Sequence, residues 1–305
     1  MTCRTIAAAL IFSALPAAAE PPQVVADIPA VGALVQMVMG DLGQVHVLLP
    51  AGADAHHYQM RTSDARHLQA ADLLVWIGPE LTPWLERTSQ TLSSGQTLGL
   101  LAQPSTHRRN FGETVGTAHD DDREESDVDP HAWLDPENGI QWVQDIAVIL
   151  GRADPDNSDI YLANAENAAK TIAATQVQVQ DLLADAHDHP FAVSHDAYGY
   201  FTDRFSLTPA VSLSLGDAAT PSAARLTEFR QAVQDNDLIC IFPEAQHDAS
   251  LLASAIRGTG AELGQALNPS GNSHPFSPNL YTQILHDMGR TLAGCLASRP
   301  AKISR

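Results

Sequence analysis

Residues 154–186 read DPDNSDIYLANAENAAKTIAATQVQVQDLLADA, and this stretch decides the architecture that the sequence predicts. It is rich in Ala, Gln and Leu, and Asp154-Pro155 at its start is typical of a helix N-terminus. A helix of about 30 residues is about 45 Å long, which exceeds the width of one lobe. We therefore expect a linking helix within residues 151–187 that joins two lobes.

Short apolar runs alternate with helical stretches on both sides of this helix. The runs are residues 24–28, 44–49, 72–77 and 97–100 before it, and 191–194, 209–213, 238–242 and 261–266 after it. This alternation is typical of parallel sheets with crossover helices, so the predicted fold class is α/β with two lobes. We place the N-terminal lobe at residues 20–150 and the C-terminal lobe at residues 188–305. Ligands of open α/β sheets bind at the carboxyl ends of the strands, which predicts a site in the cleft between the lobes.

Composition and charge agree with a globular chain and exclude one class of partner. The chain has 305 residues, 44% of them hydrophobic, and a formal net charge of -19. That length is typical of two lobes of about 100–150 residues. The negative charge repels nucleic acid and anionic membrane surfaces, so nucleic-acid binding is excluded.

The first nineteen residues have the pattern of a secretory signal peptide. Arg4 gives a short basic region, residues 6–15 are apolar, and Ala17-Ala18-Ala19 precedes Glu20 as a small-residue cleavage site. No Cys follows for lipid attachment, and no later run of 18 apolar residues occurs. We expect residues 1–19 to be removed and the rest to be a soluble exported protein.

Two cysteines remain once Cys3 leaves with the signal peptide. Cys240 and Cys295 would then lie in a compartment where disulfides persist, and a disulfide between them is the simplest interpretation. The alternative is two separately buried thiols. A cysteine-based metal site is less favoured, because the spacing is long and histidines offer better ligands.

Residues 106–129 interrupt the α/β pattern with an acidic stretch. They include the run His119-Asp120-Asp121-Asp122 and show no apolar period, which predicts a mobile acidic loop. Its carboxylates would raise the local concentration of cations, although a solvated linker is an equally good interpretation.

Three histidines lie next to predicted elements, the first after a strand, the second just before a helix and the third at the end of a strand, and each has an Asp nearby in sequence. They are His56, His131 and His195, two from the first lobe and one from the second. A single loop histidine is usually solvated, but three imidazoles with neighbouring carboxylates are typical of a Zn²⁺ site, where the acids fix the tautomers. His247 and His274 are minor candidates because they follow second-lobe motifs.

The surrounding motifs resemble those of a known family. They are Gly52-x-Asp54-x-His56-x-Tyr58, Pro130-His131-x-Trp133-Leu134-Asp135-Pro136, His195-Asp196-Ala197-Tyr198-Gly199-Tyr200-Phe201, Phe242-Pro243-Glu244-Ala245-Gln246 and Leu267-Asn268-Pro269. Their order and spacing resemble the periplasmic solute-binding proteins that feed zinc- and manganese-importing ABC transporters, over nearly all of the mature chain.

The resemblance implies a metal site, a location and partners. His56, His131 and His195 would be ligands, and a histidine at the third position favours zinc over manganese, since manganese binders tend to have a carboxylate there. The usual fourth ligand, Asp, is replaced by Asn268, so the fourth position is left to Asn268, Glu244 or water. The implied setting is the periplasm and the implied partner an ABC transporter membrane permease. A periplasmic zinc chaperone is a further candidate partner, and we expect a monomer.

Two other functions compete with zinc carriage. One is a manganese or iron carrier of the same architecture. The other is a zinc hydrolase or lyase with Glu244 or Asp196 as general base, but the chain has no nucleophile motif and no HExxH helix, so we expect no enzyme. For a carrier, neutral imidazoles must bind the ion, so affinity is expected to fall as the pH drops through the ordinary histidine pKa near ~6.5.

Overall fold

A computed structural model describes residues 20–92, 95–112, 128–208, 210–214 and 221–297 of the chain. The predicted signal peptide at residues 1–19 lies outside the described residues, as does most of the predicted acidic loop. Among the described residues, no helix has the length and apolar character that a membrane span requires.

The N-terminal lobe contains a four-stranded parallel sheet. Its strands are β1 Val24–Ala26, β2 Val45–Val47, β3 Leu73–Trp76 and β4 Gln96–Gly99, and its helices are α1 Pro29–Met39, α2 Thr62–Ala70 and α3 Pro83–Leu92. The strand order is β2-β1-β3-β4, with Val24 of β1 opposite Val45 on one side and Leu73 on the other. All three residues of β1 and all four of β3 are buried, as the continuous apolar runs predict.

Two consecutive helices connect the sheets, α4 Pro136–Ala153 and α5 Ser158–Leu182. The predicted long helix is therefore present, but it begins at Ser158 and ends at Leu182, while residues 151–153 belong to α4. Asp154 causes the break: its Oδ2 accepts hydrogen bonds from Asn157 Nδ2 at 2.7 Å and Tyr161 Oη at 2.9 Å, holding a tight turn before α5. At 25 residues α5 is about 37 Å long, and it packs against α1, α4 and the C-terminal helix.

The C-terminal lobe repeats the arrangement of the first. Its strands are β5 Ala192–His195, β6 Val211–Ser214, β7 Cys240–Phe242 and β8 Glu262–Leu263, and its helices are α6 Gly199–Arg204, α7 Ala223–Asp235, α8 Ser250–Ala255 and α9 Leu280–Leu296. All pairs are parallel in the order β6-β5-β7-β8. The two sheets confirm the predicted α/β class.

One hydrophobic core extends through both lobes. The main cluster of buried residues joins apolar side chains of β1 and β3 to those of α1, α4, α5, α9 and β5. Two polar contacts also cross between the lobes. Trp133 Nε1 donates to the carbonyl of Pro269 at 2.8 Å in a buried contact, and the half-buried Arg204 binds both carboxylate oxygens of Asp135 at 2.7 and 2.9 Å. The lobes are thus packed as one body at the level of the site.

The predicted disulfide is confirmed. Cys240 on β7 and Cys295 on α9 are bonded, with their Cα atoms 6.1 Å apart. The bond fastens the last helix to the strand that leads into the site described next.

Candidate metal centre

Three imidazoles from different elements meet between the lobes. His56 lies in the loop after β2, His131 in the turn before α4, and His195 is the last residue of β5. The ring centroids are 5.4 Å apart for His56 and His131, 5.4 Å for His131 and His195, and 6.2 Å for His56 and His195. One ring nitrogen from each lies within 4.8 Å of the other two. The structure thus brings together the three histidines that the sequence singled out.

The trio surrounds a small cavity. Its volume is about 20 Å³, which is room for about one water-sized particle. His131 is 2% exposed and His195 5% exposed, so an ion held here would be nearly sealed from solvent. The described residues that line the cavity are Ala53, Asp54, Ala55, His56, Leu81, His131, Trp133, His195, Glu244, Gln246, His247, Pro269 and Ser270.

His131 is oriented by a buried carboxylate. Its Nδ1 lies 2.8 Å from Oδ1 of Asp129, which also accepts the backbone N–H of His131 at 3.0 Å. Arg109 Nη1 approaches the other oxygen of Asp129 at 3.3 Å, and Arg109 Nε lies 3.2 Å from Asp203. Burial raises the pKa of Asp129 to about 7, although the positive charge of Arg109 opposes the shift. With Nδ1 facing Asp129, Nε2 of His131 is the nitrogen available to a metal.

His195 has an equivalent partner from the second lobe. Its Nδ1 lies 2.9 Å from Oε2 of Glu244, and Tyr198 Oη donates to the same oxygen at 3.0 Å. Burial alone would raise the pKa of Glu244, but the neighbouring histidines, His195 foremost, outweigh it and lower this pKa to about 2. Glu244 is therefore an anion at neutral pH, and it lines the cavity.

The loop that carries His56 is held by Asp54. Asp54 Oδ1 accepts the backbone N–H of His56 at 2.8 Å, and Oδ2 lies 3.0 Å from Nδ1 of His57 and 3.4 Å from Nε2 of His247. The last contact joins the first lobe to the second across the mouth of the cavity.

Two of the three imidazoles, His56 and His131, are positioned to stay neutral. Burial, followed by the charges of His131 and His195, lowers the pKa of His56 to about 3, and burial also lowers the pKa of His131 well below its usual value. Neutral imidazole is the form that binds metal. For these two ligands, burial moves the protonation expected near pH ~6.5 to more acidic conditions, and burial is a property that the sequence pattern does not show.

Two residues considered for the site are not among the described residues that line the cavity. Asn268 is not among the described residues that line it; its Oδ1 accepts a hydrogen bond from Gln246 Nε2 at 2.8 Å. The reason is that Leu267 pairs with the backbone of Pro243 and Ala245, which directs the next residue toward the Gln246 side chain. Asp196, considered above as a general base, is also absent from that lining.

The structure adds residues that the sequence argument missed or undervalued. A second group of donor atoms within 4.8 Å of one another consists of His195, Glu244 and His247. His247 follows the FPEAQ motif directly, which was the available signal. No sequence pattern pointed to Arg109 as a site residue, because it lies 20 residues before its partner Asp129 in the chain.

Comparisons with known proteins agree with this geometry. A family described as "Zinc-uptake complex component A periplasmic" (ZnuA) matches residues 24–295. A relative in Paracoccus denitrificans (strain Pd 1222), named high-affinity zinc uptake system protein ZnuA, is 48% identical over 96% of this chain and 97% of its own.

Two solved structures share the fold. A structure titled as the crystal structure of ZnuA has a TM-score of 0.76 at 20% identity, covering 90% of this chain and 99% of its own. A manganese-bound periplasmic metal-binding protein from Candidatus Liberibacter asiaticus has a TM-score of 0.74 at 22% identity, with the same coverage. On the family match, which spans both sheets and all three histidines, the chain belongs to the ZnuA family of periplasmic zinc-uptake components, a family of solute-binding proteins rather than of enzymes.

Proposed function

We propose that the protein captures one Zn²⁺ ion in the periplasm and delivers it to the membrane permease of an ABC transporter for import. The observation that carries the proposal is the convergence of His56, His131 and His195 on one small buried cavity. The 48% identical relative named for high-affinity zinc uptake supports the same cargo.

In this proposal the three imidazoles bind the ion through one nitrogen each. Asp129 and Glu244 accept the other N–H of His131 and His195, which fixes both tautomers and raises the donor strength of the rings. Water takes the fourth position. Gln246 lines the cavity, and its buried Oε1 accepts no hydrogen bond from the described residues, so it is available to a water molecule on the ion.

The donor set favours zinc over manganese. Three nitrogen ligands suit a borderline-soft ion, whereas manganese prefers carboxylate and water oxygens. A manganese carrier is the second candidate, because a protein of the same fold is known with manganese bound. Metal uptake separates the candidates, because the Irving–Williams order alone lets zinc displace manganese from most sites. We expect cells that lack the protein to lose zinc accumulation at low external zinc, and a loss of manganese accumulation instead would overturn the choice of zinc.

The proposed organisation of the chain follows this function. Residues 1–19 serve as a signal peptide for export, residues 20–150 and 188–305 form the two lobes, and residues 151–187 contain the linking helix. The protein acts as a monomer, and it receives zinc from solution or from a periplasmic chaperone. Docking on the permease would release the ion by moving His195 of one lobe relative to His56 of the other.

Zinc titration with histidine variants tests the ligand set. We expect one ion per chain for the wild type and a loss of affinity of at least about 100-fold for His131→Ala, since one of three strong ligands is removed. His274→Ala is the matched control, because His274 is partly exposed and does not line the cavity. Equal affinity of His131→Ala and wild type would overturn the proposed site.

A further inference from the structure

A second set of metal donors adjoins the trio and shares one residue with it. One donor atom each of His195, Glu244 and His247 lie within 4.8 Å of one another, and the rings of His195 and His247 are 5.4 Å apart. Two imidazoles and a carboxylate are a common zinc ligand set. In a tetrahedral site donors are about 3.4 Å apart, so small side-chain movements would close this group on an ion.

Each set reaches solvent through one half-buried histidine, His56 in the trio and His247 in the second set, and the other members are buried. The His247 side chain is 30% exposed and that of Asp54 is 25% exposed, whereas His131 is 2% exposed. An ion arriving from solvent would therefore meet His247 before it meets His131. His195 is within reach of both positions, so an ion could move from one set to the other without leaving the protein.

We propose that His195, Glu244 and His247 form an outer zinc position through which the ion passes on its way into and out of the buried trio. This proposal rests on the proposed function, since it assumes that the trio is the resting site.

In the absence of an ion, His247 makes a contact that is weak enough to be exchanged for a metal ion. Its Nε2 lies 3.4 Å from Asp54 Oδ2, which is longer than a strong hydrogen bond and easily exchanged. When His247 turns to an ion, Asp54 keeps two partners: the backbone N–H of His56 at 2.8 Å and Nδ1 of His57 at 3.0 Å. Recruiting His247 thus leaves no carboxylate without a hydrogen bond.

The charge of the outer position favours a dication in transit. Glu244 and Asp54 are both carboxylates, and both lie within contact distance of histidines of the outer group. Their negative charge compensates part of the hydration that Zn²⁺ loses as it enters the cavity. The inner trio has no carboxylate ligand of its own, so the outer position supplies the negative charge that the trio lacks.

The rates of zinc binding and release test the proposal. A residue that lowers the barrier between solvent and trio acts equally on both directions, so His247→Ala should slow zinc binding and release to a chelator by about tenfold each, with the dissociation constant within about twofold of wild type. His274→Ala is the matched control, because His274 also lies 3.4 Å from an Asp and is 27% exposed. Unchanged rates in His247→Ala, or rates equally slow in both variants, would overturn the proposal.

A pair of variants detects the outer position directly. His131→Ala should lose the high-affinity site yet retain one weaker Zn²⁺ site, and adding His247→Ala should weaken that site by a further tenfold or more. Identical binding by His131→Ala and His131→Ala/His247→Ala would overturn the outer position. Wild-type affinity of His131→Ala would instead overturn the proposed function, so the two failures are distinguishable. His247→Gln serves if thermal unfolding shows that His247→Ala is destabilised.

Discussion

Nδ1 of His131 lies 2.8 Å from Oδ1 of Asp129, and Asp129 has no exposure to solvent. The contact decides which nitrogen of His131 carries its proton. A proton on Nδ1 leaves the lone pair of Nε2 free for an ion, whereas the opposite tautomer would present an N–H there. Because Arg109 in turn contacts Asp129 at 3.3 Å, the orientation of this one imidazole depends on residues from the base of the acidic segment.

Replacing this carboxylate should weaken zinc binding without removing the site. We expect Asp129→Asn to lower zinc affinity by about 10- to 100-fold, because a neutral amide orients His131 less strongly. Asp203→Asn is the control, since Asp203 contacts the same Arg109 at 3.2 Å and is not among the described residues that line the cavity. Competition with a fluorescent zinc chelator measures the zinc affinity of both variants. Equal affinities would show that Asp129 does not orient His131 for zinc binding.

The position of Asn268 leads to a second prediction. Asn268 accepts a hydrogen bond from Gln246 and does not line the cavity, so we expect Asn268→Ala to change zinc affinity by less than about threefold. The comparison is with His131→Ala, which should lose at least about 100-fold. A loss in Asn268→Ala approaching that of His131→Ala would restore Asn268 as the fourth ligand.

The sequence predicted the fold class and the three central histidines for physical reasons. Short continuous apolar runs that alternate with helical stretches, such as residues 72–77, are typical of buried strands of a covered sheet, and β3 Leu73–Trp76 has that environment. A histidine at the end of such a strand lies at the carboxyl edge of its sheet. His56 follows β2 of the first sheet and His195 ends β5 of the second, and their rings meet between the two edges.

The sequence could not predict features that depend on the direction in which a side chain points or on how deeply it is buried. Asp154-Pro155 indicated a helix start, but the beginning of α5 at Ser158 depends on hydrogen bonds from Asn157 and Tyr161 to Asp154 that no periodicity encodes. Asn268 occupies a motif position, but a motif does not show which way a side chain points. The low pKa of His56 results from burial, which exists only once both lobes enclose the cavity.

The lowered histidine pKa values predict how zinc binding depends on pH. His56, with a pKa of about 3, and His131 are neutral in the metal-free protein from pH 7 down to pH 5, so protons do not compete with zinc at these two ligands. We expect these two ligands together to change the affinity by less than about threefold across this range. For an imidazole with the ordinary pKa near ~6.5, the loss by pH 5 would be about 30-fold per histidine. Isothermal titration at both pH values checks this, and a loss well above about 30-fold would contradict the burial of His56 and His131.

Asp27 predicts a separate pH effect, on folding stability. Burial raises its pKa to about 7, although it accepts the backbone N–H groups of Ile28 and Ile77. Between the unfolded value near 3.8 and about 7, the folded state binds this proton and the unfolded state does not, so its contribution to stability falls as the pH rises.

Asp27 should lower the free energy of unfolding by at most about 1.4 kcal/mol for each unit that the pH rises, and this contribution should be absent in Asp27→Asn. Urea unfolding of wild type and variant from pH 5 to pH 7 measures the difference. Parallel stability curves would show that Asp27 is ionised in the folded protein throughout that range.

The disulfide between Cys240 and Cys295 predicts a loss of stability that leaves the metal site intact. The bond closes a loop of 55 residues. In the chain-entropy treatment, removing it stabilises the unfolded state by about 4 kcal/mol, because the unfolded chain gains conformational freedom. Cys240→Ala/Cys295→Ala is the suitable variant, since Cys240 is buried and a serine hydroxyl there would lack a partner.

We expect the free energy of unfolding to fall by about 4 kcal/mol while the folded variant still binds one zinc ion, because His56, His131 and His195 are held by the shared core and their carboxylate partners. A loss below about 1 kcal/mol would mean that the packing of α9 alone holds β7 in place, and a loss of zinc binding in the folded variant would mean that the bond positions Glu244.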